Sequence, residues 1–493
     1  MINAYTGTQI RAAEAGLIEQ GQGTVLMRAA AHGLAHHAML LLRARYGSVY
    51  GTRVAGLIGT GNNGGDGLFA LARLAGRGVA CTAILVGDRA HSEALDAFRR
   101  AGGRVVSGTV SGSGARGRTR RFRGAPDALR SVDLVIDAIL GTGARGRVAR
   151  PDVPANVPVI ACDLPSGVDA DTGAAPEGTL AAQVTVTFGA LKTGLCVGAG
   201  RLHAGRIEVV DIGLDAVLGQ PDLRIIGTSD VEAVTPRASG GEHKYSRGVL
   251  GLIAGSDRYP GAAVLAATAA VNTAVGMLRT LAPERPAQLI AAAVPESVPA
   301  EGPDVRVDAW AMGPGIAEDA DQKAAVEQVL ASGRPAVVDA SALRVLEPRQ
   351  GHARLVLTPH TGELEDLLGR LGVRVTAEDI TADPVRWARW AAVGYSSVVL
   401  LKGHSTICVA PDGYTVVSLN GPAALATAGS GDVLTGMLGA MLATSDAAGQ
   451  GTHALVELSA AAAYRHGDAA RLAGREGGFG AGRLAGFAGR DGL

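Results

Sequence analysis

The chain has 493 residues, 47% hydrophobic and 19% charged, and a formal net charge of zero. That length exceeds one ordinary core and points to two domains of about 200–250 residues, while the composition excludes a disordered chain. Zero net charge argues against nucleic acid or an anionic membrane surface as the main partner, and 3% aromatic residues leave little for base stacking.

The four cysteines, Cys81, Cys162, Cys196 and Cys408, are scattered, with no Cys-x-x-Cys pair. They read as small buried hydrophobes in a reducing compartment rather than as disulfides or a zinc site. Met1–Ile10 holds Asn3, Thr6 and Gln9 and lacks a signal-peptide core, and no apolar run is clean enough to span a bilayer. A cytoplasmic enzyme is the expectation. The basic residues are almost all arginine, the four lysines being Lys192, Lys244, Lys323 and Lys402. Three of them fall in the motif-like stretches below, where a compact ammonium on a flexible stem has a use.

In chain order, Thr8–Gly21 and Thr24–Tyr46 read as amphipathic helices, the second with Leu26, Met27, Leu34, Leu40 and Leu41 on its apolar positions. Arg53–Gly59 is a short apolar run, the mark of a buried parallel strand. It ends in the glycine-rich stretch Gly59–Gly67, and Leu68–Ala75 continues as a helix. Strand, glycine loop and helix in this order place a phosphate at a helix N-terminus. The asparagine and aspartate oxygens of the same loop can also hold a hard cation. Val79–Val86 is the next strand and Ser92–Ala101 the next helix, and Ser107–Gly124 reads as a surface loop rich in Gly, Ser and Arg. Strands Asp133–Ile139, Val157–Ala161 and Val184–Phe188 then enter the polar loops Gly141–Arg147, Asp163–Asp169 and Gly189–Gly194. Parallel strands gather such loops at one edge, which is where ligands bind. The domain seam falls near Asp215–Ile226, where Gly219 and Pro221 interrupt short apolar pieces.

The second half repeats the pattern. Ser229–Thr235 opens it, and His243–Gly248 leads into the strand Val249–Ala254. Gly255–Ala262 and the helix Ala263–Val275 follow. Gly276–Ala282 and Leu289–Val294 read as further strands. Ala309–Met312 ends in Gly313–Gly315, Ala336–Val338 in Asp339–Ala342, Arg354–Leu357 in Thr358–Glu363, and Val398–Leu401 in Lys402–Thr406. This is a second α/β layered structure. The stretch Ala428–Gly436 carries the sharpest chemistry. Gly429 and Gly431 bracket Ser430, Asp432 follows, and Val433–Leu442 is helix-like. A glycine loop opening a helix aims free N–H groups at an anion. A carboxylate beside bound phosphate can take the proton of a hydroxyl attacking phosphorus. Taken alone, the stretch is equally well explained as a capped helix after a turn.

Taken together, the motifs of the first half, Gly-Asn-Asn-Gly-Gly-Asp-Gly, Asp-Ala-Ile-Leu-Gly-Thr-Gly, Asp-Leu-Pro-Ser-Gly and Thr-Phe-Gly-Ala-Leu-Lys, resemble the NAD(P)H-hydrate epimerase domain over residues 1–214. The resemblance implies a Rossmann-like three-layer fold and exchange of the R and S hydrates of NADH or NADPH. It implies substrate contacts from Asn62, Asn63, Gly64, Gly65, Asp66, Gly141, Thr142, Gly143, Ala144, Arg145, Gly146, Arg147 and Asp163. It also implies a K+ ion held by Asn63, Asp137 and Ser166. Asp163 is the candidate acid/base; Lys192 has no assigned task beyond packing or attraction of phosphate.

The second half, about residues 227–493, resembles the nucleotide-dependent NAD(P)H-hydrate dehydratases, which have a ribokinase-like fold. The matching motifs are His-Lys-Tyr-Ser-Arg-Gly, Gly-Pro-Gly, Leu-Thr-Pro-His-x-Gly-Glu, Leu-Lys-Gly and Gly-Ser-Gly-Asp-Val-Leu-Thr-Gly. This resemblance implies that Ala262, Gly315, His360 and Asp432 line the hydrate pocket, with Asp432 catalytic. It implies that Lys402, Gly403, His404, Ser405, Thr406, Gly429, Ser430 and Gly431 hold the adenine nucleotide, ADP in preference to ATP, with Mg2+. A homo-oligomer is expected, with no nucleic acid and no membrane as partner. Two departures stand out. Ser341 replaces the second carboxylate of the family's Asp-Ala-Asp-Ala-Leu, and Ala428–Gly431 replaces Gly-Gly-Thr-Gly. The rival reading is a ribokinase-like small-molecule kinase fused to a non-catalytic Rossmann-like binding module.

Overall fold

The computed structural model describes residues 1–107, 109–111, 121–123, 126–143, 150, 152–235, 247–317, 319–349, 352–475 and 477–490. Contacts within the chain divide it into two compact units, residues 3–222 and residues 223–493, with residues 1–2 grouped with the second.

The first unit is built on a seven-stranded sheet. Its strands are β1 (Arg53–Ile58), β2 (Ala80–Leu85), β3 (Arg104–Ser107), β4 (Leu134–Ala138), β5 (Val159–Cys162), β6 (Val184–Phe188) and β7 (Arg206–Val210). They lie in the order β7-β6-β5-β4-β1-β2-β3, and every neighbouring pair is parallel. Side chains alternate between two cores, as the pleat requires. Val54 and Ile58 join Leu34, Leu68, Leu71 and Phe98 on one face, under the helices Gly23–Tyr46, Asn62–Ala75 and Ser92–Arg100. Ala55 and Leu57 join Leu129, Val157 and Leu180 on the other. Leu68, Leu71 and Leu74 are fully buried, and each contributes about 1.5–3 kcal/mol on leaving water.

Two expectations change here. The helix starts at Asn62, not Leu68, so the Asn-Asn-Gly-Gly-Asp stretch is its first turn rather than a loop ahead of it. Glycine makes that possible. A Cβ at Gly64 would lie 2.1 Å from the Gly59 carbonyl oxygen, and one at Gly59 would lie 1.9 Å from that of Ile139. The described parts of 107–124 include a short antiparallel pair, Thr109–Ser111 with Arg121–Arg123, rather than loop alone.

The second unit holds β8 (Leu223–Ile225), β9 (Val249–Ile253), β10 (Met277–Leu281), β11 (Val298–Pro299), β12 (Ala309–Met312), β13 (Ala336–Val338), β14 (Leu355–Leu357), β15 (Val398–Leu401), β16 (Thr406–Val409) and β17 (Thr415–Ser418). Their order is β8-β17-β16-β15-β14-β13-β12-β9-β10-β11. All pairs are parallel except β15 with β16 and β16 with β17. Helices Pro260–Asn272, Ser430–Ala443 and Thr452–Ala473 pack on one face through Ala266, Leu434, Leu438 and Leu458. Leu289–Val294, expected as a strand, lies within and just past the helix Glu284–Ala293. A short apolar run does not carry its own period, and the alanines favour helix. No described helix is long and apolar enough to cross a membrane. All four cysteines are buried free thiols.

Candidate functional site

Each unit gathers a polar site at the ends of its parallel strands. In the first unit, β4, β5 and β6 deliver Asp137, Asp163 and the loop leading to Lys192. Asp163 follows β5 directly and takes a left-handed backbone, φ 68°. That conformation costs a non-glycine residue about 1–2 kcal/mol, so its surroundings must hold it. Lys192 Nζ lies 2.7 Å from Asp163 Oδ1 and donates to the Phe188 carbonyl at 2.6 Å. Thr187 Oγ1 donates to Oδ1 at 3.2 Å, and the Thr142 N–H donates to Oδ2 at 2.9 Å. The Thr142 hydroxyl also bonds Oδ2. Burial pushes the Asp163 carboxyl up, but Lys192 and Thr142 outweigh it and hold it below the usual carboxylate range. Lys192 is only 1% exposed. It is therefore the partner of Asp163, not a packing residue or a surface lure for phosphate.

Asp137 is fully buried. It accepts from Ser166 N at 2.8 Å, Ser166 Oγ at 2.6 Å and Ile139 N at 3.4 Å. Burial lifts its pKa, with those hydrogen bonds opposing. The Arg150 charge opposes burial as well. Asn63 stands beside the same loop, its Oδ1 placed 2.9 Å from where a Cβ on Gly141 would be. Asn62, Asn63, Asp66, Gly141, Thr142, Gly143 and Asp163 all border one hollow of about 450 Å³. Gly64 and Gly65 sit beneath it as buried backbone. The helix at Asn62 has no side-chain cap, which leaves its first N–H groups for a ligand. Ala144, Arg145, Gly146 and Arg147 lie outside the described residues. So do His243–Ser246 of the second half, Lys244 among them.

Two charged residues of this hollow carry no motif. Glu14 and Arg11 reach its wall from the helix Gly7–Glu19. Arg11 Nη1 donates to the Thr142 carbonyl at 2.6 Å. Burial lifts the Glu14 carboxyl, opposed by Lys192 and helped by Asp163.

In the second unit, Gly429 takes a left-handed turn, φ 86°, and the helix Ser430–Ala443 begins without a side-chain cap. A Cβ on Gly429 would meet Leu265 Cδ1 at 2.6 Å. Ser430 Oγ is turned back to the Leu425 carbonyl at 2.8 Å, which ties the loop. Asp432 sits in the first turn. Burial lifts its carboxyl to about 6, helped by Asp339 and Glu363 and opposed by Lys402. Lys402 Nζ is committed to Asp339 Oδ1 at 2.7 Å and lies 3.6 Å from Glu363 Oε2. Thr435 Oγ1 donates to the other Asp339 oxygen at 2.7 Å. A Cβ on Gly431 would be 3.6 Å from Lys402 Nζ. The loop, the lysine and both acids thus form one cluster.

A hollow of about 1250 Å³ opens beside it, lined by Arg258, Tyr259, Ile316, Ser341, Glu363 and Arg370 among others. Asp432 is not in its wall, but Glu363 belongs to both. Gly315, φ 67°, would clash with Ala262 Cβ at 2.7 Å if it carried a side chain, so those two lie together. His360 is exposed and caps the helix Thr361–Arg370. Its Nδ1 accepts from Gly362 N at 3.0 Å and Glu363 N at 3.3 Å. Gly403 and His404 are exposed, and Ser405 is buried at the turn between β15 and β16. The motifs therefore located the second cluster, while Asp339, Glu363 and Thr435 entered it without a predicted role.

A family model described as NAD(P)H-hydrate dehydratase matches residues 250–485, and one described as YjeF-related protein N-terminus matches residues 23–194. The bifunctional NAD(P)H-hydrate repair enzyme of Mycobacterium leprae is 38% identical over 90% of this chain and 89% of its own length. The enzyme of that name from Escherichia coli K12 is 32% identical over 78% and 75%. A solved Bacillus subtilis ADP/ATP-dependent NAD(P)H-hydrate dehydratase, co-crystallised with ATP/Mg2+, is 29% identical, with a TM-score of 0.47, and covers 54% of this chain and 97% of its own. On sequence, from one strand-edge cluster to the other, the chain belongs to the bifunctional NAD(P)H-hydrate repair enzyme family.

Proposed function

We propose that the first unit interconverts the R and S hydrates of NADH and NADPH, and that the second dehydrates the S form at the expense of ADP. One observation carries the reading best: a single chain holds two carboxylate sites, each at a parallel strand edge and each beside an uncapped helix N-terminus. In the second unit Asp432 takes the proton of the ring hydroxyl. The hydroxyl oxygen forms a bond to the terminal phosphorus of ADP, and the bridging P–O bond breaks to release AMP. The Gly429–Gly431 amides face the charge that develops. Phosphate then leaves with the ring oxygen, and the neighbouring carbon loses a proton to restore the double bond. Products are NAD(P)H, AMP and phosphate.

Mg2+ enters with the nucleotide phosphates and neutralises them when bound, since the ion keeps waters and needs few protein ligands. K+ suits the oxygens of Asn63, Asp137 and Ser166, because Asp137 is a fully buried carboxylate beside the Ser166 hydroxyl, and a hard cation is met by such oxygen ligands. Bound there, it would neutralise Asp137 and fix the turn that presents Asn63 and Asp66. Lys402–Thr406 hold the nucleotide. Four buried free thiols fit a reducing cytoplasm. The test is incubation with mixed hydrate epimers and either ADP or ATP, following absorbance of the reduced ring. Complete conversion supports both activities, and ADP should serve better than ATP. Conversion stopping at the S fraction contradicts the epimerase, and a phosphorylated stable product contradicts the dehydratase.

A further inference from the structure

One carboxyl of the 450 Å³ hollow has so far been given contact with the substrate but no part in the chemistry. Asp66 lines its wall at 9% exposure, and its Oδ1 has no hydrogen-bond partner among the described residues. Asn63 Nδ2, one turn earlier on the same helix, is also buried without a partner among the described residues. Leaving such a group unpaired costs about 1–3 kcal/mol, so a ligand filling the hollow has two open polar groups to meet. The groups facing Asp66 are Asp163 and Lys192 from the strand ends and Glu14 from the helix Gly7–Glu19. The Cys162 thiol, kept protonated by burial, lies below, and His91 approaches the same turn at Gly65. Three carboxyls thus crowd one lysine, which is bonded to Asp163, while Arg11 of the same wall acts on Glu14. Like charges so placed oppose one another's ionisation. Burial, with Asp163 and Glu14 adding and Lys192 opposing, pushes Asp66 well above the usual carboxylate range, while Lys192 and Thr142 hold Asp163 below it, so of the two Asp66 is the better placed to give a proton.

We propose that Asp66 is the catalytic acid of the epimerase half, acting opposite Asp163 as base. The assignment rests on the epimerase reading above. Adding water across the enamine double bond of a reduced nicotinamide puts the hydroxyl on the carbon next to nitrogen. Asp66 gives its proton to that hydroxyl, the C–O bond breaks and water leaves. The nitrogen lone pair fills the vacancy, giving a flat C=N cation held between two carboxylates. A second water adds to the opposite face, forming the new C–O bond and losing its proton to Asp163. Net, one proton passes from Asp66 to Asp163, and proton exchange with solvent water returns both carboxyls to their starting state before the next turnover in the same direction. The leaving and entering waters are different molecules, because they occupy opposite faces.

The full-length chain in ¹⁸O-water should incorporate one solvent oxygen per epimerisation, above the uncatalysed exchange. Asp66→Asn should lower the epimerase kcat about 100- to 10,000-fold with KM changed only a few-fold. Asp66→Glu, which still carries a proton, should recover part of it. Retention of the original oxygen by the wild-type chain overturns the assignment whether or not the variants fold. So does an Asp66→Asn chain within about threefold of the wild-type kcat. A wild-type chain that never exchanges the epimers overturns the epimerase reading and the assignment with it.

Discussion

The two sites use the same parts, an aspartate, a lysine and a glycine-opened helix, in opposite ways. In the first unit the lysine is spent on the aspartate itself: Lys192 lies 2.7 Å from Asp163 and holds it ionised. In the second, Lys402 is 2.7 Å from a different carboxylate, Asp339, and Asp432 is left with a carboxyl lifted to about 6. A base meant to deprotonate a hydroxyl works best with a pKa near the working pH. A carboxylate that must be charged when the ring becomes cationic needs a fixed counter-ion instead. Where the lysine bonds thus sets what the neighbouring aspartate does.

The comparison breaks most visibly at Asp432. Asp432→Asn should lower dehydration about 100- to 10,000-fold while R-to-S exchange in the same preparation stays at the wild-type rate. Loss of both activities in folded chain contradicts separate sites. Lys192→Met comes next. It strands a buried Asp163 charge and should cost the first unit about 3–5 kcal/mol of stability, read by denaturant melting, together with most epimerase activity. Adding Asp163→Asn to Lys192→Met should restore stability and leave epimerisation dead. If activity returned with stability, Lys192 would be structural only. The smallest effect belongs to His360. His360→Ala removes the cap of the helix Thr361–Arg370 and should cost about 1 kcal/mol, while His360→Asn should regain it. If the ring also contacts the hydrate, KM for the hydrate rises in both variants.

Much of this was legible beforehand, and for physical reasons. Strands buried on both faces read as unbroken apolar runs, and their glycine-rich ends name the edge where ligands sit. That is why β1, β4, β5, β6 and β9 were placed closely. The failures share a cause too. Leu289–Val294 is apolar but too short to show a period, and only its packing reveals a helix. Gly64 and Gly65 look like loop residues by propensity, yet both lie in the helix, Gly64 close against the Gly59 carbonyl and Gly65 against His91. Glu14 lies on an amphipathic helix where a glutamate usually meets water, so nothing in its spacing announced a pocket wall. Lysine scarcity did mark Lys192 and Lys402. Their partners, Asp163 and Asp339, are distant in sequence and needed the fold to be found.

The pH dependence of kcat for both reactions, measured on one preparation of the full chain, tests the lysine placement most directly. Dehydration requires ionised Asp432, so its rate should fall as pH drops through about 6 and level off above. Epimerisation requires ionised Asp163, held below the usual carboxylate range, so its acid limb should lie at distinctly lower pH. Two acid limbs falling at the same pH would contradict the account.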